Sequence, residues 1–458
     1  MFLRMIQKEI VQHVLSLRFA VTFVLFIVLV FASVFVTTNE YVRQREQHDS
    51  LASEAKKRLE EICAIEEADD AVRTLAWWEG KKDAIPISPL SWFGQGMQGA
   101  YPPAVVTKAD RVSRRVDRGQ TAAAAPGSSR IPDFVYVVNV VLSLLAILLL
   151  FDSVCGEKEA GTLRLMLTNS VPRAQLLLAK WVGGYVVLLV PFLLATAGAV
   201  VYALAKGAFT SDQAGAVLFL VFTACLYIAV FFNISLFVST TTSRSATSLL
   251  VCLLVWVMAV LVVPNMAPVT AQILAPTPSQ DKIKAEQSAI QREVDLKISR
   301  LTLTSGELSY GDKVESEEDE LRAEGERLKK KWDQYYEDRR RSQAELAAAL
   351  GRISPATSWT YAAASITNTG FEAHERQREA RVRLGEEMAK FYHEAREASH
   401  RDGEWTHPQP EDVPTLQVIT PDATASLNEA MVDVLILIIM NVVFFMLAFT
   451  FFLRYDVR

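Results

Sequence analysis

The amino-acid sequence predicts an all-α membrane protein: six transmembrane helices plus a mainly helical extracytoplasmic domain built from two insertions. Three observations carry this fold class. Apolar residues are bunched into six runs of about 20 residues, the length that crosses a hydrocarbon core of roughly 30 Å as a helix. The runs are continuous, without the alternation of apolar and polar residues that barrel strands need. Between them lie two long segments dense in Glu, Lys, Arg, Gln and Ala, a composition that favours exposed helices.

Residues 1–16, with Lys8-Glu9-Ile10, read as an amphipathic segment on the cytoplasmic side. The first span is 17–37. Arg4, Lys8 and Arg18 stand before it or at its start, as in a secretory signal, but the run is longer than a signal core. No small-x-small cleavage site precedes the charges from Asn39 onward, so this span is expected to be retained.

The first insertion is 38–132. From Asn39 to about Ala76 it holds no Pro or Gly, which predicts that the first span continues outward as a helical stalk. After Trp77 and Trp78 the composition changes to loop chemistry, with Pro86-Ile87-Ser88-Pro89-Leu90-Ser91-Trp92, Gly94, Gly96, Gly99 and Pro102-Pro103. The tryptophans suit a headgroup-level anchor or a small core better than a ligand platform. Thr121 to Ser129 reads as a flexible return into the second span.

The second span is 133–151, followed by a short polar region, 152–179. The third, fourth and fifth spans are 180–205, 216–239 and 246–268. The second insertion, 269–428, opens with Gln280 to Arg300 and Lys313 to Leu350, predicted as an antiparallel helical hairpin broken around Thr304-Ser305-Gly306 and Gly311. Ile353-Ser354-Pro355-Ala356 begins a small-residue segment, and a third charged helix runs from about Phe371 to Ser399. A Pro-rich connection, His400 to Ala423, leads to the sixth span, 429–453, and a tail, 454–458.

Orientation follows from Lys and Arg in the short loops. Arg4, Lys8, Arg18, Lys158, Arg164, Arg173, Lys180, Arg244, Arg454 and Arg458 share one side, against Lys206 alone on the other. Both termini and the 152–179 region are therefore expected in the cytoplasm, both insertions outside, and the protein multi-pass in the cell inner membrane. Of the four cysteines only Cys63 lies outside, where an unpaired thiol packed in a helical domain is expected rather than an intermolecular disulfide.

Several function classes are excluded on residue grounds. A net charge of -5 with no basic, aromatic-interleaved stripe argues against nucleic acid. His374, His393 and His400 lack ligand spacing, so no metal site is expected and solvated helix faces are. There is no nucleophile elbow for a hydrolase and no phosphate-cradling loop. The centres of the spans hold neutral polar residues, among them Asn139, Ser143, Thr196, Thr223, Asn233, Ser235 and Asn441, with Asp433 expected near the outer end of the last span within reach of water. A proton-driven carrier would need ionisable groups there.

The most specific motif is Glu157-Lys158-Glu159-Ala160-Gly161-Thr162-Leu163, followed by Leu167 and Pro172, in the short region between the second and third spans. Together with the amphipathic start and the six spans it resembles the permease subunits of type-2 ABC exporters, also called type V ABC transporters, over nearly the whole chain. The resemblance implies an elbow helix at 1–16 and a coupling helix in which Glu157, Glu159, Gly161, Thr162 and Leu163 sit on a separate ATPase subunit. ATP and Mg would be bound by that subunit, with no cofactor on this chain, and the chain would act as a transport subunit, not a catalyst. A second permease half, identical or related, is the further expected partner besides the lipid bilayer. By the same analogy Asn139, Ser143, Ser248 and Asn265 are expected to face a pathway for an apolar or amphipathic export substrate. The large insertions depart from the plainest members and resemble a subgroup in which segments like Ser88-Pro89-Leu90-Ser91 and Ser354-Pro355-Ala356 recur. The alternative for such a chain is a mechanotransmission or scaffold subunit that acts on an envelope protein through its outside helices.

Overall fold

In the computed structural model the described residues are 2–98, 102–108, 132–163, 166, 172–305, 312–402, 405–421 and 423–454. Gly99, Thr121 to Ser129, Arg164, Leu167, Gly306, Gly311 and Arg458 lie outside them. Among the described residues six helices are long and apolar enough to cross a membrane: Phe19–Cys63, Phe134–Glu159, Arg173–Ala205, Ser211–Thr241, Ser245–Leu274 and Thr424–Leu453. The described elements are almost entirely helical.

The elbow helix, Phe2–Val14, ends one turn before the first span. Ser16 makes the corner: its hydroxyl donates to His13 O at 2.7 Å and accepts from Phe19 N at 3.2 Å, capping the new helix. That helix, Leu17–Cys63, runs unbroken for 47 residues, about 70 Å at 1.5 Å per residue, so span and stalk are one rod.

Two spans carry a π-turn, Val138–Leu142 in the second and Val257–Val262 in the fifth. The second and fourth spans supply the core, with Leu142, Ala146, Ile147, Leu150, Tyr227, Phe231 and Phe232 fully buried. Neutral polar side chains join the helices where no water competes. Trp181 Nε1 donates to Asn233 Oδ1 at 2.6 Å, and Asn233 Nδ2 donates to Asn441 Oδ1 at 2.9 Å, linking the third, fourth and sixth spans.

The segment after Trp78 is not only loop. Lys81–Ala84 (β1) pairs antiparallel with Ala104–Thr107 (β2), Lys81 opposite Thr107. Both strands are only four residues long, and β1, Lys-Lys-Asp-Ala, shows no apolar alternation, which is why composition alone does not reveal the pair. The stalk end packs beside them: Leu59 and Ile62 form a core with Leu75, Leu384, Met388 and Val413, and Cys63, a free thiol, lies against it.

Ser88 Oγ donates to Thr367 O at 2.5 Å, and Met97 N donates to Thr369 O at 2.8 Å, so the first insertion is bonded to the segment after the hairpin. Trp359 stacks on Tyr227, centroids 5.7 Å apart, and its Nε1 donates to Val135 O at 3.1 Å. Ser354 Oγ accepts from Ala356 N at 3.1 Å just before the helix Pro355–Ile366, a cap followed by a proline that needs no N–H donor.

Two expectations are corrected here. His374, expected on a solvated helix face, is buried with Ala373, Gln377, Ala380, Arg381 and Leu384 on the packed face of the helix Phe371–Asp402. Asp433, expected within reach of water, is 1% exposed. It shares a helical face with buried Ala430, Val434 and Leu437, and the close packing of that face excludes solvent.

Residues Leu261–Thr357 form a compact unit distinct from the rest. Its helices Gln280–Ser305 and Asp312–Gly351 run antiparallel: Gln287 Nε2 donates to Asp333 Oδ1 at 2.8 Å, and Lys329 Nζ to Gln291 Oε1. At Gly325 a side chain would collide with Val294, so the glycine brings the two helices close.

Candidate coupling site

After Leu150 the chain leaves the second span, forms one short helix, Cys155–Glu159, and reverses at Ala160-Gly161. Gly161 sits at φ +74° with open space around it, so conformation and not room selects glycine there. Gly161 N donates back to Lys158 O at 3.1 Å, and Leu163 is fully buried just beyond.

Every charged side chain of the motif is bonded to another part of the same chain. Lys180 Nζ, in the first turns of the third span, lies 2.6 Å from Glu157 Oε1 and 3.2 Å from Glu9 Oε1 of the elbow helix. The side chains are only 3% (Lys180), 8% (Glu9) and 15% (Glu157) exposed, which makes this a buried ion cluster rather than a surface pair. Lys158 Nζ donates to Thr240 O and Thr242 O at the end of the fourth span. Ser239 Oγ accepts from Val154 N and Cys155 N, both at 3.1 Å. Glu159 Oε2 accepts from Ser245 N at 3.0 Å, at the start of the fifth span, where a carboxylate meets the positive end of the helix dipole.

The turn is therefore tied to the elbow and to the third, fourth and fifth spans at once. Its outward surface is Ala160, Gly161 and Thr162, with Glu159 at the edge. The carboxylates face their own chain.

The profile of the ABC-2 family transporter proteins matches residues 3–457. The chain belongs to the ABC-2 transporter family. A probable ABC transporter permease protein, NosY of Pseudomonas aeruginosa, is 39% identical over 69 residues, 14% of this chain and 25% of the relative. The match thus spans about a quarter of the relative's length. With six helices among the described residues long and apolar enough to cross a membrane, this member of the family is a multi-pass membrane protein.

The pathway candidates of the permease sit in several environments. Tyr227 OH donates to Asn139, 2.8 Å from its backbone O and 2.7 Å from Oδ1. Ser143 Oγ donates to Asn139 O at 2.5 Å and accepts from Trp256 Nε1 at 2.8 Å, joining the π-turn of the second span to the residue before that of the fifth. Ser248 Oγ donates to Phe151 O at 2.6 Å and is fully buried. These three are bonded within the helix packing. Asn265 is exposed and donates to Leu261 O within its own helix at 2.6 Å.

Sequence reading passes over Lys180 and Glu9 as site residues, counting Lys180 as one more positive charge at a span end. The available signal is its company: a lysine inside Leu-Leu-Ala-Lys-Trp-Val-Gly-Gly, where apolar and small residues on both sides foretell burial. Gly183 completes the seat. A Cβ there would stand 2.8 Å from Glu9 Cβ and 3.3 Å from Ile6 O, so only glycine admits the elbow so near the third span.

Proposed function

We propose that this permease converts ATP-driven closure of a separate ABC ATPase subunit into movement of its spans, and exports an apolar or amphipathic substrate. The observation that carries the reading is the bonding of the 155–163 turn to the elbow and to three spans at once. A push on Ala160, Gly161 and Thr162 would reach all of them without passing through a flexible loop. Glu157 and Glu159 then hold the turn in register, and Gly161, Thr162 and Leu163 shape its surface. ATP and Mg belong to the ATPase, and the chain binds no cofactor or metal of its own. Two permease halves, identical or related, would each take one ATPase subunit, with the turn and both termini on the cytoplasmic face of the inner membrane. Asn139, Ser143 and Ser248 act in this scheme as interhelical fasteners near any pathway, and Asn265 is the candidate left with an exposed amide.

The test is purification from membranes with the ATPase subunit attached. The double variant Glu157→Ala, Glu159→Ala is expected to insert normally and lose transport-coupled ATP hydrolysis. Unchanged coupling in that variant sinks the assignment.

A second reading, mechanotransmission to an envelope protein, is favoured by one observation: the separate unit with helices of 26 and 40 residues. Deleting residues 280–350 separates the two. Retained export with loss of a partner complex supports transport, and loss of all activity with no measurable cargo supports a scaffold.

A further inference from the structure

We infer that Lys180 is a positioning residue that makes the elbow helix move with the coupling turn, so that the elbow is itself a driven element of the permease. The inference rests on the reading of the turn as the ATPase contact and names the part it drives. One ammonium stands between two carboxylates on different elements, 2.6 Å from Glu157 Oε1 of the turn and 3.2 Å from Glu9 Oε1 of the elbow. Lys180 and Glu9 are buried and Glu157 is only 15% exposed, so water screens the attraction weakly and does not replace either contact cheaply. The bonds that Val154, Cys155, Lys158 and Glu159 make around the turn run to the fourth and fifth spans, whereas Lys180 bridges the turn to the elbow, and the Asp152 carboxylate also acts electrostatically on His13 of the elbow.

The seat is specific in shape as well as charge. Gly183, one turn beyond Lys180, lets the elbow backbone approach so closely that a methyl group would strike Glu9 Cβ and Ile6 O. Glu9 is thereby held at the depth of Lys180, while Leu3, Val11 and Val14 of the same amphipathic helix are exposed. An amphipathic helix lying in a membrane interface presents such a face to the headgroup boundary. A displacement of the turn transmitted through Lys180 would therefore shift a helix whose other face lies among lipids.

Spin labels at Leu3→Cys on the elbow and Ser211→Cys in the loop before the fourth span report elbow movement. The background carries Cys63→Ala and Cys225→Ala, and the complex is purified with its ATPase. Distances are measured with and without ATP, Mg and orthovanadate. The expected result is a change in the Leu3–Ser211 distance on trapping, lost in Lys180→Met and in Glu9→Gln, and restored in Lys180→Arg, with the ATPase still bound in all four. Glu9→Gln breaks only one arm of the cluster and keeps the test open should Lys180→Met fold poorly. A distance that does not respond to trapping, or a response that survives loss of Lys180 and of Glu9, overturns the inference and leaves the docking reading standing. Failure of the ATPase to purify with the unsubstituted chain removes the docking reading, and this inference with it.

Discussion

Two buried lysine–carboxylate groups can be set side by side, one under the turn and one in the strand pair. Under the turn, Lys180 joins Glu9 and Glu157, residues 171 and 23 positions away in the chain. In the strand pair, Lys81 and Asp83 are two residues apart on β1, where alternate side chains share a face, and their charges lie 3.4 Å apart. Both reach the Pro-rich segment before the last span: Lys81 Nζ donates to Pro414 O, and Leu416 N donates to Asp83 Oδ1 at 3.5 Å. The first group links three helices: the elbow, the turn and the third span. The second fastens a returning segment to a two-stranded sheet. Similar chemistry serves a joint in one place and a clasp in the other: the first ties helices to one another, the second ties a strand to a segment 333 positions further on.

The sharpest way to break this contrast is to remove the cation of the joint. Lys180→Met leaves Glu9 and Glu157 facing each other without a counter-charge in a dry site, a loss expected at about 3–5 kcal/mol. The thermal midpoint of the solubilised protein should fall accordingly, and the triple variant Glu9→Gln, Glu157→Gln, Lys180→Met should recover most of the fall. A single variant that melts with the unsubstituted protein would show that the cluster is no joint.

The difference between the two groups also marks what was legible in the sequence. Six spans, a helical stalk and the helical hairpin could be read because each depends on local composition: long apolar runs, a Pro- and Gly-free charged stretch, two helical segments around a break. The end of the stalk helix at Cys63, short of the expected Ala76, could not, since no Pro or Gly marks it. The Glu157–Leu163 turn could be located by its spacing. The inward direction of its carboxylates could not, because their partners, Lys180 and Ser245, are supplied by other helices. The same holds for Asn139, Ser143 and Ser248: a neutral polar residue in an apolar run can line a pathway or fasten two helices, and only the neighbouring helix decides. His374 and Asp433 fail in the same manner, since each sits in a charged or boundary stretch whose burial is set by what packs on it.

For the clasp, Lys81→Met should cost less than the loss of Lys180, about 1–3 kcal/mol, the scale of a buried polar group left without its partner. Asp83 tempers the loss because burial holds its carboxyl above the usual aspartate range, so it can take up a proton. Hydrogen exchange at Leu416, which donates to Asp83, should quicken in this variant while exchange in the spans is unchanged. Equal quickening in the spans would mean that the clasp supports the membrane part as well.

The raised Asp83 carboxyl carries a pH dependence whose sign is fixed. A carboxyl with a higher pKa folded than unfolded binds more protons in the native state, so its contribution is present below the unfolded value and is lost as pH rises through the folded one. Compared with Asp83→Asn, the unsubstituted protein should therefore gain stability as the pH is lowered through that window. Melting both proteins across the acid range isolates the effect from all other carboxylates, and a difference that stays flat or runs the opposite way would contradict the burial of Asp83.

The smallest effect belongs to Glu159, the one acidic residue of the turn that is exposed. Its carboxylate accepts one backbone N–H, from Ser245, at a helix start where four such donors lack partners within the helix. Water can replace an exposed acceptor, so Glu159→Ala should scarcely move the melting midpoint. It should instead speed exchange of the Ser245 amide and leave the Lys180 cluster untouched, because Glu159 and Glu157 hold different spans through separate bonds. If coupled hydrolysis falls in Glu159→Ala as far as in Glu157→Ala, the link to the fifth span carries as much of the motion as the joint does, and the weight of the contrast moves from burial to position.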